Sequence, residues 1–579
     1  MNKTIKKLIF LLNEQQKTKL IILFFVIFFI SLFDLLSIGL ILPILIFFLD
    51  ENFLNNKFLS ILMDNLTFLN QNNFIFYALS TLFIIFVSKT FFHIFLNYFK
   101  YKIIMNIYYE ISKKLMSIYL NLPYLEFTKL QIFKKINIIR TEVESIVLGL
   151  VDPFLILLLE IFIVIFLCTF LIIYDPIISY KVIIFAVFVL FFLNIFFSKQ
   201  VKNIGAKRYN SANFIQKNII QGLQGIKDIK IAIKEDSFLK RFSEESNNMS
   251  KIMTILKTIQ ETPRLLIELI ALISIFLIGL FSVYSNQENT DFLILLGIFA
   301  AATFKIMPSL NRIIVSINSI KATHTVVDAI YDDFKLENKF RLLKKNKKII
   351  FESRWKEIKK IEIKKLSFRY NKKDSFIFKN LNINIFEKNY IGIYGKSGSG
   401  KTTFIDLFSG LISPQNGKIK CNGLDISNNY LSWRSNIGYV PQSIYLLNDT
   451  LKNNIAIGEF DEEIDIKRIN RVIKESRLEE FVNKLPKGLN SLISESGINL
   501  SGGQIQRIGI ARALYRQPKI LIFDEATNSL DNKTEKEFMR IVNNLSKKKI
   551  IIFVTHNLSL LRNCTSLYEL ENSKFKKRN

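Results

Sequence analysis

The sequence predicts two domains in series: an all-α membrane domain of six spans, then an α/β P-loop nucleotide-binding domain. Three observations carry that prediction. Apolar stretches near 20–49, 74–99, 146–174, 177–198, 263–284 and 291–315 each reach the roughly 20 residues needed to cross a bilayer. From about 351 the pattern changes to strands alternating with helices. Within that second half lies a glycine-rich loop, Gly395-Lys396-Ser397-Gly398-Ser399-Gly400-Lys401-Thr402, between a strand pattern and a helix pattern. The expected division is 1–315 for the membrane domain, 316–350 for a basic connector, and 351–579 for the nucleotide domain.

Composition fits this division. Half of the 579 residues are apolar, 54 of them phenylalanine, and the long uncharged runs fill the first half. A formal charge of +29 suggests nucleic acid at first sight. The cations, however, cluster in loops beside apolar runs, a pattern of membrane topology and of contact with anionic headgroups. Membrane lipids are therefore the expected partner, and nucleic acid is not. The wealth of Asn, Ile, Lys and Phe also fits a compositionally biased genome. Cys168, Cys421 and Cys564 make neither a disulfide framework nor a zinc spacing. Residues 21–49 are too long for a signal h-region and lack a small-residue cleavage site, so they read as a retained first span.

The loops between spans fix the orientation. Residues 100–145 hold eight Lys or Arg and residues 199–262 hold twelve, whereas 50–73 hold only Lys57. The positive-inside rule places both long loops and both termini in the cytoplasm. Those loops carry apolar residues at helical spacing (Tyr108, Ile111, Leu115; Phe214, Ile219, Leu223) and are expected to extend the spans as cytosolic helices. Breaks near Asn121-Leu122-Pro123 and Glu235-Asp236 are places for the chain to turn. Segment 50–73 reads either as an amphipathic helix at the outer leaflet or as a packed loop.

The second half contains a full set of phosphate-handling groups. Gly395, Gly398 and Gly400 let the backbone turn its N–H groups toward phosphate oxygens, with Lys396, Ser397, Ser399 and Thr403 completing the loop. Lys401 is placed to neutralise the β- and γ-phosphates of ATP, and the Thr402 hydroxyl to bind Mg²⁺. Asp524 ends an apolar strand where it can hold Mg²⁺, and Glu525 beside it is the expected general base. Gln442 and His556 are placed to approach the metal, the attacking water or the γ-phosphate. Tyr370 is an aromatic platform for adenine, with Phe368 a nearby competitor.

The run Leu500-Ser501-Gly502-Gly503-Gln504 between the phosphate loop and Asp524 is the mark of ABC-type ATPases. With six spans ahead of it, the whole chain resembles bacterial ABC exporter half-transporters. That resemblance implies a homodimer, in which Ser501, Gly502, Gly503 and Gln504 close over ATP held by the partner's phosphate loop. It implies ATP and Mg²⁺ as cofactors and a multi-pass position in the bacterial inner membrane. Ser494, Asn557 and Asn528-Ser529-Leu530-Asp531 depart from the common pattern without removing a catalytic group.

Within that superfamily the membrane half looks most like flippases of lipid-linked oligosaccharides. The similarity rests on Asp34 with Ser37, on Thr262-Pro263-Arg264 followed by Glu268, and on Lys305-Ile306-Met307-Pro308-Ser309-Leu310-Asn311-Arg312. It implies a polyprenyl-pyrophosphate glycan as cargo. Ionisable groups at span depth are costly and face partners or water. Lys89, Arg264 and Lys305 are the candidates for a headgroup site. Pairing with Asp34, Glu160 or Glu268, or snorkelling to headgroups, is the equal alternative. Exporters of lipid A, drugs or peptides, and a non-transporting ATP-gated regulator, are the rival readings.

Overall fold

A computed structural model describes residues 2–39, 71–174, 176–284, 289–340, 355, 357–371, 373–493, 500–528, 530–571 and 573–578. Backbone alone is described for 34–39, 71–75 and most of 170–199 and 270–305. The expected outer segment 50–73 therefore lies, up to residue 70, outside the described residues, as do Ser494 and Ser529 and the side chains of Asp34 and Ser37. The chain forms two compact units, Met1–Leu122 with Lys129–Phe340, and Pro123–Thr128 with Arg341–Asn579.

The first unit is helical. Among the described residues six long helices, Glu14–Gly39, Gln71–Asn121, Asp152–Tyr174, Pro176–Gln224, Glu235–Tyr284 and Asn289–Ala322, overlie the expected spans, the first of them as far as residue 39. Among the described residues, Glu14–Phe33, Leu79–Asn121 and Ile132–Thr169 are long and apolar enough to cross a membrane on their own. Several helices run well past membrane length, as the charged loops with helical periodicity require. The chain breaks where expected: Pro123 caps the four-residue helix Tyr124–Phe127, and the helix Glu235–Tyr284 starts after a turn with Ile233 at φ 53°.

The core of this unit follows the 3.6-residue period. Ile104, Ile107, Ile111 and Leu115 form a buried stripe that meets Val143, Ile146, Val147 and Leu150. Val326, Val327, Ile330 and Phe334 complete the cluster. Within the expected connector 316–350, Asn289–Ala322 continues past 315, and His324–Phe340 follows at a 45° bend. Several buried polar groups here are paired, as burial demands. Tyr119 donates to Asp333 at 2.6 Å, Lys135 meets the same carboxylate at 2.5 Å, and Arg208 meets the wholly buried Glu142 at 2.7 Å. Glu142 closes the first of two π-helical turns, Ile138–Glu142 and Val147–Val151, that interrupt the approach to the third span.

The second unit is built on two sheets. Strands are β1 Lys360–Phe368, β2 Phe378–Phe386, β3 Tyr390–Tyr394, β4 Asn416–Cys421, β5 Leu424–Asp425, β6 Ile437–Val440, β7 Asp449–Thr450, β8 Leu492–Ile493, β9 Ile520–Asp524, β10 Ile550–Val554, β11 Ser566–Glu571 and β12 Lys574–Arg578. An antiparallel sheet has the order β2-β1-β4-β5, and a six-stranded sheet has the order β12-β11-β3-β10-β9-β6. In the latter, β11, β3, β10, β9 and β6 are mutually parallel. Its central strands read as unbroken apolar runs because both faces are covered. Leu521 and Phe523 enter one core while Ile520 and Ile522 enter the other.

Candidate nucleotide site

The order β3-β10-β9-β6 decides where the functional side chains lie. Parallel strands present their C-terminal ends along one edge, and open α/β sheets bind ligands there. The phosphate loop follows β3, His556 follows β10, Asp524 and Glu525 end β9, and Gln442 follows β6. Four motifs scattered over more than a hundred residues thus stand side by side on adjacent strands. His556 and Gln442 are exposed on this edge, and the Gln442 carbonyl accepts from Gln506 at 3.2 Å.

The loop geometry explains its glycines. Gly398 and Gly400 have φ of 77° and 104°, a region L side chains rarely occupy. Gly400 caps the helix Lys401–Phe408, whose first turn faces the loop with Thr402 exposed and Thr403 buried. Lys401 Nζ donates to the carbonyls of Gly395 at 3.0 Å and Lys396 at 3.2 Å. It also lies 3.5 Å from a Glu525 carboxylate oxygen. Ser399 Oγ is buried and has no protein partner, as expected of a hydroxyl whose acceptor is a ligand oxygen. The residues fit a nucleotide phosphate and a hard cation: backbone N–H groups, one lysine, one exposed hydroxyl and one buried carboxylate.

Glu525 itself is strained. It has φ 49°, uncommon outside glycine and asparagine, and is held by its N–H donating to Val554 O at 2.8 Å. Asn528 Nδ2 donates to Glu525 Oε2 at 2.8 Å, aiming the carboxylate. Burial pushes the Asp524 carboxyl above its ordinary pKa, opposed by a hydrogen bond from Tyr439 Oη at 3.2 Å. Asp406, on the phosphate-loop helix, is pushed up to about 6 by burial and secondarily by Asp524. The sequence pointed to neither Tyr439 nor Asp406, and marked Asn528 only as a departure from the common pattern. Only the alternation of β6, which sets Tyr439 on the same face as Asp524, could have signalled the first.

Tyr370 is exposed and its hydroxyl is 3.1 Å from Thr403 Oγ1, which ties the expected adenine platform to the phosphate loop; Phe368 packs edge-on against it. Ser501 caps the helix Gly502–Tyr515 in a reciprocal capping box with Gln504, and Gly503 is buried against Thr534. Among the described residues no hydrogen bond or ion pair joins Ser501, Gly502, Gly503 or Gln504 to the phosphate loop of their own chain.

Residues 378–528 match the family model described as ABC transporter. This segment is an ABC transporter ATPase domain. Over 216 residues the chain is 39% identical to a Rickettsia typhi protein named for export ATP-binding and permease roles, covering 37% of each chain. It is 35% identical over 219 residues to the ATP-dependent lipid A-core flippase of Pasteurella multocida, covering 38% of each. The α-hemolysin translocation ATP-binding protein HlyB of Proteus vulgaris is 37% identical over 212 residues, 36% of this chain and 30% of that one. The match thus spans about a third of the length of these relatives. A solved bacterial Atm1-family ABC exporter superposes with TM-score 0.75 over 97% of this chain and 94% of that one, at 17% identity. The whole chain therefore has the fold of that exporter, a long-helix region followed by the nucleotide-binding domain.

The three candidate headgroup cations fall differently. Lys89 lines a cavity of about 310 Å³ in the helical unit, together with His93, Lys100, Glu160 and Arg312. In its walls Arg312 pairs with Glu160 at 2.5 Å and Lys100 with Asp152 at 2.8 Å. Arg264 does not line it and pairs with Glu268 at 2.9 Å on its own helix. The side chain of Lys305 lies outside the described residues.

Proposed function

We propose that this chain is one half of a homodimeric, ATP-driven exporter of the bacterial inner membrane, moving a polar lipid from the cytoplasmic to the outer leaflet. The observation that carries the ATP-driven part is the row of Lys401, His556, Asp524–Glu525 and Gln442 along one sheet edge. Bound Mg²⁺ supplies charge neutralisation at the β- and γ-phosphates. In this reading Thr402, Asp524 and Gln442 hold the metal, and Lys401 neutralises phosphate oxygens. Glu525 accepts the proton of a water that His556 and Gln442 orient. Ser501 and Gly503 present a capped helix N-terminus to the partner's nucleotide, so that ATP joins two ATPase domains and hydrolysis parts them. Both termini lie in the cytoplasm, following the lysine-rich loops.

For the cargo we place a polyprenyl-pyrophosphate-linked oligosaccharide first. The cation-lined cavity at Lys89 supports an anionic headgroup, while the Arg264–Glu268 pair supports the alternative that this arginine is structural. A lipid A-type cargo is the second reading, favoured by the lipid A-core flippase among the relatives. The test is a proteoliposome assay following ATP-dependent movement of a fluorescent polyprenyl-pyrophosphate glycan between leaflets, with Glu525→Gln as control. Movement by the wild type alone supports the first cargo. Hydrolysis without movement, together with stimulation by lipid A, transfers the assignment to the second.

A further inference from the structure

The metal-holding carboxylate has a partner that no motif contains. Strand β6 pairs with β9 in parallel, Tyr439 opposite Ile522. Side chains alternate along strands, so Ile522 and Asp524 share a face, and Tyr439 lies one step diagonally from Asp524 on that face. A long side chain spans such a diagonal. Tyr439 Oη does so, donating to Asp524 Oδ2 at 3.2 Å. Among the described residues this is the one hydrogen bond the Asp524 carboxylate receives.

The two side chains differ sharply in burial. Asp524 is 7% exposed, whereas Tyr439 is 42% exposed on the outermost parallel strand. Its neighbours Gly438 and Val440 are the buried members of that strand. The ring therefore contributes little to either core, and what it does offer is a hydroxyl aimed at a desolvated acid. A single donor on Oδ2 fixes the rotation of the carboxylate and leaves Oδ1 as the oxygen directed elsewhere. Groups that orient a metal-binding carboxylate from behind set metal affinity without touching the metal.

We propose that Tyr439 is a positioning residue for Mg²⁺: its hydroxyl holds the Asp524 carboxylate in the orientation that binds the cation. The inference rests on the reading of Asp524 as a metal-holding group. Tyr439 neither meets the nucleotide nor transfers a proton in this role.

The experiment measures ATP affinity of the full-length protein in lipid nanodiscs, with Mg²⁺ and with the metal chelated, in a Glu525→Gln background that prevents turnover. The quantity read is the gain in affinity that Mg²⁺ confers. Tyr439→Phe, which removes one oxygen, should cut that gain by roughly tenfold, the lower end for partners of metal ligands, and leave metal-free affinity unchanged. Asp524→Asn should remove the gain. If Tyr439→Phe keeps the full gain while Asp524→Asn loses it, the positioning role is overturned and the role of Asp524 stands. An equal fall with and without metal marks a merely structural tyrosine and also overturns it. If Asp524→Asn keeps the gain, the metal assignment fails and this inference fails with it.

Discussion

Lys401 Nζ lies 3.5 Å from a carboxylate oxygen of Glu525, so the phosphate-loop cation and the end of β9 are electrostatic partners within one chain. The lysine is also tied to two loop carbonyls. Glu525→Gln preserves shape and the Asn528 contact while removing the charge. We expect phosphate release to fall about 10²–10⁴-fold, the contribution of a general base, with ATP binding retained. Loss of binding equal to the loss of turnover would assign Glu525 to holding Lys401 rather than to chemistry.

Gly503 stands against Thr534, where a Cβ would overlap the threonine Cγ2. Gly503→Ala should destabilise the ATPase domain by about 1–3 kcal/mol, the range for overpacking. Adding Thr534→Ser, which deletes that methyl, should restore most of it in thermal melts. If the double variant melts normally yet does not hydrolyse ATP, Gly503 serves the partner's nucleotide as well as local packing.

Asp406 has its pKa raised to about 6, with burial the larger cause and Asp524 the second. Tyr439 and Tyr124 are also within electrostatic range. The folded state then binds a proton that the unfolded state has released between roughly pH 4 and 6, so stability falls as pH rises through that window. Asp406→Asn should raise the melting temperature at pH 7 and have no effect near pH 4. A benefit equal at both pH values would show that titration is not involved.

Glu142 is wholly buried and paired with Arg208 at 2.7 Å, with Asn137 Nδ2 at 3.3 Å. Arg208→Met leaves a buried charge with one weak donor and should cost about 3–5 kcal/mol. Glu142→Gln in the same chain should recover part of this. Equal melting of single and double variants would mean that solvent reaches Glu142.

The sequence carried the site more fully than the membrane unit. A glycine loop and acids closing an apolar strand are local signals, and the parallel order β3-β10-β9 brings them to one edge. Tyr439 and Asp406 escaped because their significance lies in partners on other elements, Asp524 on a neighbouring strand in one case. The helix His324–Phe340 escaped for a different reason: its apolar residues are interspersed with charges and too sparse for a span. Arg264 shows the reverse limit, since Glu268 at i,i+4 was visible in sequence but whether the two faced each other was not.

The π-helical turns Ile138–Glu142 and Val147–Val151 set the phase of everything that follows them. Each wide turn takes up one residue more than an α-turn, and one residue rotates a helix by about 100°. Leu155, Ile156, Leu159, Glu160 and Ile163, which line the cavity beside Lys89, therefore face inward by virtue of two surplus residues located below them. Deleting one residue anywhere in 138–151 would swing that whole wall about a quarter-turn away, turning the Glu160 carboxylate toward another helix without altering a single cavity side chain.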